Sequence, residues 1–250
     1  MSNVRVHGEV ILRAENVHRV FYKGSEVPVL RGVNLDVNAG EFLSIVGSSG
    51  SGKTTFLHIL GTLDKPTEGA VYWRGERIDN QPSRVKDKYR NQSVGFVFQF
   101  YHLLPELSTL ENVLLPKMID LGPIQFWRNK TKLTQQAKDL LARVGLAHRL
   151  HHRPSELSGG EMQRTAIARS LISEPEVLFA DEPTGNLDAE TGQKIFVLLD
   201  EIRREANLTL ILVTHDVSLA QRADRMLRLT QGVLAGSAAE SWPRPSIVAS

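Results

Sequence analysis

No cysteine occurs in the 250 residues, which excludes disulfides and thiolate metal sites and fits a reducing cytosol. Long apolar runs are missing as well. No stretch approaches the roughly 18 apolar residues of a spanning helix, and the run Leu208–Val213 has the length of a buried strand. If the protein works at a membrane, another chain supplies the spans. An excess of either charge is also lacking: 30 Lys+Arg stand against 28 Asp+Glu, a net +2. So close a balance argues against a nucleic-acid partner. The first residues, Met1–Glu9, carry charges but no apolar core and are not expected to act as a signal peptide. Gly236–Ser250, rich in Ala, Ser and Pro, is expected to be loosely ordered. Internal repeats and low-complexity runs are absent.

Present are 41% hydrophobic and 23% charged residues, the balance of a globular chain. Alternating patterns over Ile11–Val20 and Val33–Val37 predict an antiparallel strand pair at the start. Phe42–Val46 reads as a short buried strand running into a Gly/Ser loop, and Thr54–Leu63 then has helical apolar spacing. Val94–Phe98, Val177–Ala180 and Thr209–Val213 read as further buried strands, with helices at Thr191–Glu205 and Ser218–Ala223. Between Phe100 and Ser170 the pattern turns helical, over Thr109–Leu121, Leu133–Val144 and Gly159–Ser173. The expectation is one unit over residues 10–235. It is an α/β fold with a largely parallel sheet, an antiparallel β subdomain at the N-terminus and an inserted helical subdomain at about 100–170.

Three motifs carry chemistry. Gly47-Ser48-Ser49-Gly50-Ser51-Gly52-Lys53-Thr54 matches G-x-x-x-x-G-K-[ST] in full, between a strand and a helix. Its glycines let the backbone curl so that N–H groups point at phosphate oxygens, and the helix dipole adds to the attraction. Lys53 would reach the β- and γ-phosphates, Thr54 would ligate Mg²⁺, and Thr55 would touch the α-phosphate. An incidental Gly/Ser turn is the bland alternative, disfavoured by the strand before it and the helix after. The strand Val177–Ala180 ends in Asp181-Glu182. Beside a phosphate loop, Asp181 fits the Mg²⁺-holding acid of a P-loop NTPase, and Glu182 could deprotonate the attacking water. His215 follows another strand and could hydrogen-bond the γ-phosphate, although a lone histidine is more often structural.

Leu157-Ser158-Gly159-Gly160-Glu161-Met162-Gln163-Arg164 resembles the signature of the ATP-binding-cassette family. The other motifs fall in that family's order: phosphate loop, Gln99 after a strand, signature, Asp181-Glu182, Gly185-Asn186-Leu187-Asp188, then His215. The resemblance covers about Ile11–Val233. It implies an ATPase using ATP and Mg²⁺ whose site is shared by two copies packed head to tail. Ser158, Gly159 and Gly160 of one copy would meet the γ-phosphate held by Lys53 of the other. It implies further that Gln99 joins the Mg²⁺ and water shell and that Asp188 braces the opposing copy. An aromatic residue, Phe21 with Tyr22 beside it, would stack on adenine.

The segments Leu57–Asp64, Phe98–Pro105 and His151–Glu156 are similar to the lipoprotein-releasing ATPases of that family, with macrolide-exporter and cell-division ATPases as near relatives. Leu121–Lys132, with Phe126, Trp127 and Arg128, departs from the lipoprotein-releasing pattern. The resemblance places the chain at the cytoplasmic face of the inner membrane as a peripheral subunit. Integral membrane permease subunits would dock near Gln99–Leu110. Of the apolar residues there (Phe100, Tyr101, Leu103, Leu104, Leu107 and Leu110), more than half are expected to be core. A soluble cassette acting on ribosomes or DNA is disfavoured by the single phosphate loop and the lack of sustained heptads. A non-hydrolysing switch is disfavoured because every catalytic position is filled.

Overall fold

The computed structural model describes residues 8–22 and 24–235; the expectations for Met1–His7 and for 236–250 lie outside them. Two sheets organise the chain. The first is antiparallel, in the order β2-β1-β4-β5, from β1 (Val10–Tyr22), β2 (Glu26–Asn38), β4 (Glu68–Trp73) and β5 (Glu76–Arg77). The second follows the order β10-β9-β3-β8-β7-β6. Its strands are β3 (Phe42–Val46), β6 (Val94–Val97), β7 (Val177–Asp181), β8 (Thr209–Thr214), β9 (Arg225–Thr230) and β10 (Val233–Ala235). Five of these run parallel, and β10 adds antiparallel at the edge. The fold class is therefore α/β with a mostly parallel sheet.

The central strands are apolar throughout because both of their faces are covered. Successive residues of a strand point to opposite sides, and here they divide between two cores. Leu43, Ile45, Val177, Phe179, Ile211 and Val213 share one core with α1 (Lys53–Leu60) and the antiparallel sheet. Phe42, Leu178, Ala180, Leu210 and Leu212 face the other, built on α3 (Thr109–Arg143), α4 (Gly159–Leu171) and α5 (Ala189–Ala206). Each fully buried Leu, Ile or Phe contributes about 1.5–3 kcal/mol to this sandwich, so a polar residue on either face of β7 would be costly.

Several sequence expectations need correction. The first two strands are longer than read, 13 residues each. The helices expected at Thr109–Leu121 and Leu133–Val144 are one element, broken where Gly122 adopts φ 67, ψ 172 just before Pro123. Proline disfavours an α conformation in the residue before it, and glycine accepts the resulting positive φ. The second half therefore starts ten residues earlier than its apolar spacing suggested, with Phe126 as its buried anchor. None of the six apolar residues from Phe100 to Leu110 is fully buried. Phe100 is 67% exposed and Leu104 is 42% exposed, so the expectation that most are core does not hold. The strands β4 and β5 and the helix α2 (Ser83–Gln92) were not foreseen.

Candidate functional site

Four loops converge at the carboxyl ends of the parallel strands, where α/β sheets place their ligands. The phosphate loop follows β3, Gln99 follows β6, Asp181-Glu182 closes β7 and His215 follows β8. A cleft of about 680 Å³ there is lined by Ser49, Gly50, Gly52, Lys53, Thr54, Thr55, Gln99, Glu182 and His215, with Val29 from β2. Gly47, Ser48, Ser51 and Asp181 are not among its lining residues. The turn into α1 depends on Gly52, which has φ +102 and whose Cβ, had it one, would meet the Val29 carbonyl oxygen at 2.9 Å. Another residue there would be strained and would push against backbone.

Lys53 is 7% exposed. Its Nζ donates to the carbonyl oxygens of Gly47 at 2.9 Å and Ser48 at 3.2 Å, and lies 3.8 Å from Glu182 Oε1. The ammonium is thus held above the loop, with opposite charge close by. Thr54 Oγ1 donates to Asp181 Oδ1 at 3.0 Å. Burial pushes the Asp181 carboxyl above its usual range, and the Thr54 hydrogen bond partly opposes that. A hydroxyl and a carboxylate this close are a hard-oxygen pair, the donor type Mg²⁺ takes from a protein while phosphates and water supply the rest. The residues fit the ion.

Glu182 occupies left-handed backbone, φ 45, which aims its side chain back across the cleft. His215 Nδ1 lies 2.9 Å from Glu182 Oε2. The sequence alone left His215 a lone histidine, and the structure gives it a carboxylate partner. Gln99 is anchored through its side-chain amide nitrogen and its backbone carbonyl. Its Nε2 donates to Asn186 Oδ1 at 3.3 Å, and Asn186 Nδ2 donates to the Gln99 carbonyl at 2.8 Å. In the sequence Asn186 is one member of the Gly185–Asp188 motif, and no residue spacing points to this pairing.

The signature begins α4. Ser158 is the N-cap: its Oγ accepts from the Glu161 amide at 3.3 Å, and Glu161 accepts from the Ser158 amide at 2.9 Å. That reciprocal cap is worth about 1 kcal/mol. It also holds the Glu161 carboxyl below its usual range, chiefly through the Ser158 amide. Gly160 packs so closely that a Cβ would lie 2.7 Å from Thr191 Cγ2. With Gly159, Arg164, Asn186, Asp188 and Lys194, these residues line a second cleft of about 480 Å³. The two clefts have no lining residue in common. Asp188 caps α5 by accepting from the Thr191 amide at 3.0 Å.

Phe21 and Tyr22 lie outside the lining of the first cleft. The Arg19 guanidinium covers one face of the Phe21 ring, 4.3 Å from its centroid, while Tyr22 is 73% exposed. Between α4 and the loop after Gln99, Arg169 donates to the carbonyl oxygens of His102 at 2.5 Å and Tyr101 at 2.6 Å. Burial pulls its guanidinium down to about 10.

Residues 30–185 match the family model described as ABC transporter. The chain is 51% identical over 92% of its length to the lipoprotein-releasing system ATP-binding protein LolD 2 of Rhodopirellula baltica, covering 91% of that protein. It is 50% identical over 90% of its length to the LolD protein of Acinetobacter baylyi, covering 97% of it. Among solved structures, it resembles the dimeric bacterial ABC transporter cassette MJ0796 with a TM-score of 0.81 and 39% identity, over 90% of this chain and 96% of that one. A post-hydrolysis dimer of the same cassette, bound to ADP and Pi, matches with a TM-score of 0.80 and 38% identity over the same shares.

Proposed function

The chain belongs to the ABC transporter family and is an ATP-hydrolysing cassette, and from that premise we propose that it is the motor of a lipoprotein-releasing transporter, working as a head-to-tail pair. The name of its LolD relatives supports the cargo class, and the dimeric cassette supports the pairing. The observation that carries the pairing is the separation of the two clefts. The signature of one chain does not line the cleft of its own phosphate loop, so a second copy must bring a signature to each triphosphate.

In this reading residues 10–235 act as one nucleotide-binding unit. The backbone N–H groups of Gly50 to Thr55 cradle the phosphates, and Lys53 exchanges its two carbonyl partners for phosphate oxygens. Thr54 and Asp181, with Gln99 beside them, would hold Mg²⁺, which when bound neutralises charge on the β- and γ-oxygens. Glu182 takes a proton from the attacking water as its oxygen bonds to the γ-phosphorus. The bond from that phosphorus to the bridging oxygen breaks, leaving ADP and phosphate. With a proton on Nδ1, His215 steadies the Glu182 carboxylate; a second proton, on Nε2, would let it reach the γ-phosphate too. The open face of Phe21 takes the adenine.

No helix among the described residues is long and apolar enough to cross a membrane. In this reading the chain is a peripheral subunit at the cytoplasmic face, with exposed Phe100 and Leu104 receiving a helix of the integral permease. ATP favours the closed pair, closure drives the permease, and hydrolysis reopens it. The coupling works only through that difference in affinity.

The test mixes two defective chains. Lys53→Ala keeps an intact signature, and Ser158→Arg keeps an intact phosphate loop; each alone is expected to be inactive. An equal mixture should recover up to about a quarter of the wild-type rate, because half the pairs are mixed and each contains one whole site. Wild-type hydrolysis by Ser158→Arg alone would overturn the composite site.

A further inference from the structure

The first turns of the second half of α3 bury almost nothing. From Pro123 to Lys132 only Phe126 is buried, at 7% exposure, while Ile124 is 74% and Trp127 67% exposed. At 100° per residue, Phe126 and Leu133 lie on the core side, and Ile124, Trp127, Arg128 and Thr131 lie on the opposite side. On the far side of the Gly122 break, Ile119 is 64% exposed and Met118 41%. These side chains project from the surface as an apolar ridge.

The charge is one-sided. Leu121–Leu133 contains Arg128, Lys130 and Lys132 and no acid. The nearest acid before it, Asp120, already accepts from Gln92 at 3.2 Å. Lys130 Nζ lies 4.3 Å from the centre of the Trp127 ring, which holds the cation beside the apolar strip. A protruding Trp and Ile flanked by Lys and Arg is the arrangement of a helix lying in the headgroup region of a bilayer. There the ring sits at the acyl boundary and the cations meet anionic headgroups.

We propose that residues 119–132 form a membrane-surface contact that inserts Ile124 and Trp127 into the headgroup region of an anionic bilayer, with Arg128, Lys130 and Lys132 on the lipid phosphates. The contact lies apart from the nucleotide cleft and does not depend on it. Its occupant is lipid, and a protein partner is the outcome that would overturn it.

The experiment is sedimentation of the full-length chain with vesicles, either an equal mixture of phosphatidylcholine and phosphatidylglycerol or phosphatidylcholine alone. Binding is expected on the anionic vesicles only and should fall steeply with salt. Removing the three cations together (Arg128→Gln, Lys130→Gln, Lys132→Gln) should weaken it roughly a hundredfold, at roughly fivefold per cation. Trp127→Ser should abolish the blue shift of tryptophan emission on anionic vesicles. ATP hydrolysis and melting temperature should stay at the wild-type values in both variants, which separates this loss from misfolding. Equal binding of wild-type and triple variant to anionic vesicles would overturn the proposal. So would wild-type chain that stays in solution with both vesicles, or variants whose only defect is lost co-purification with a detergent-solubilised permease.

Discussion

Gln99 and Asn186 hold each other across 87 residues of sequence, each giving its side-chain amide to the other. Gln99 lines the phosphate cleft and Asn186 lines the signature cleft. This pair is therefore a direct link between the two half-sites of one chain, and what moves Gln99 must strain or break a bond to the signature side.

Asn186→Ala should leave nucleotide affinity nearly unchanged, since Lys53 and the loop amides are untouched. Turnover should fall about fivefold to tenfold, the worth of one to one and a half kcal/mol of lost hydrogen bonding. Equilibrium binding of a fluorescent ATP analogue and a phosphate-release assay separate the two. A loss of affinity with turnover intact would contradict the link.

Glu182→Gln should lower turnover by roughly 10²–10⁴ while nucleotide still binds. Single-turnover hydrolysis with isotopically labelled ATP measures the first and filter binding the second. Hydrolysis at the wild-type rate would remove Glu182 from the role of base.

Asp181 carries a pH prediction. Its folded pKa is raised above the ordinary 3.8 by burial, so the folded chain holds that proton more tightly than the unfolded one. The stability linked to it is complete below the unfolded value and is lost as pH rises through the folded value. At neutral pH the nucleotide-free chain therefore contains a buried carboxylate that Asn would replace without charge, still accepting from Thr54. Asp181→Asn should melt higher than wild type at neutral pH, by a margin that closes toward acid, and should lose at least about a hundredfold in turnover. Melting curves at several pH values, without nucleotide, check the sign.

Arg169→Met should leave two carbonyls of the Gln99-proximal loop without a donor and cost about 2–4 kcal/mol. Denaturant titration measures that figure. The same variant should show weaker dependence of turnover on the permease, because the loop carrying Phe100 and Leu104 loses its tie to α4.

The readable parts of this chain were those where one physical demand dominates. Central strands such as Val177–Asp181 and Thr209–Thr214 are apolar on both faces because both are covered, and their acidic or histidine ends stand out against them. The phosphate loop is legible because few residue types tolerate its backbone. The helix α2 was not legible: only Lys86 and Tyr89 are buried in it, which leaves no apolar stripe to read. The short strands β4 and β5 give too few alternating residues. The Gln99–Asn186 pair and the Arg169 tie join residues far apart in sequence, and no local pattern encodes them. The exposed run after Gln99 misled because apolar residues suggest burial until a missing partner is considered.

Glu182 stands where the chain would fold more comfortably with glycine or asparagine. Its φ of 45 belongs to a region that disfavours most side chains by about 1–2 kcal/mol. A Glu182→Gly protein should be catalytically dead, and the strain it relieves is offset by a buried Lys53 ammonium left without the carboxylate 3.8 Å away. The bend is the cost of setting one carboxylate between an ammonium and an imidazole at the mouth of the phosphate loop.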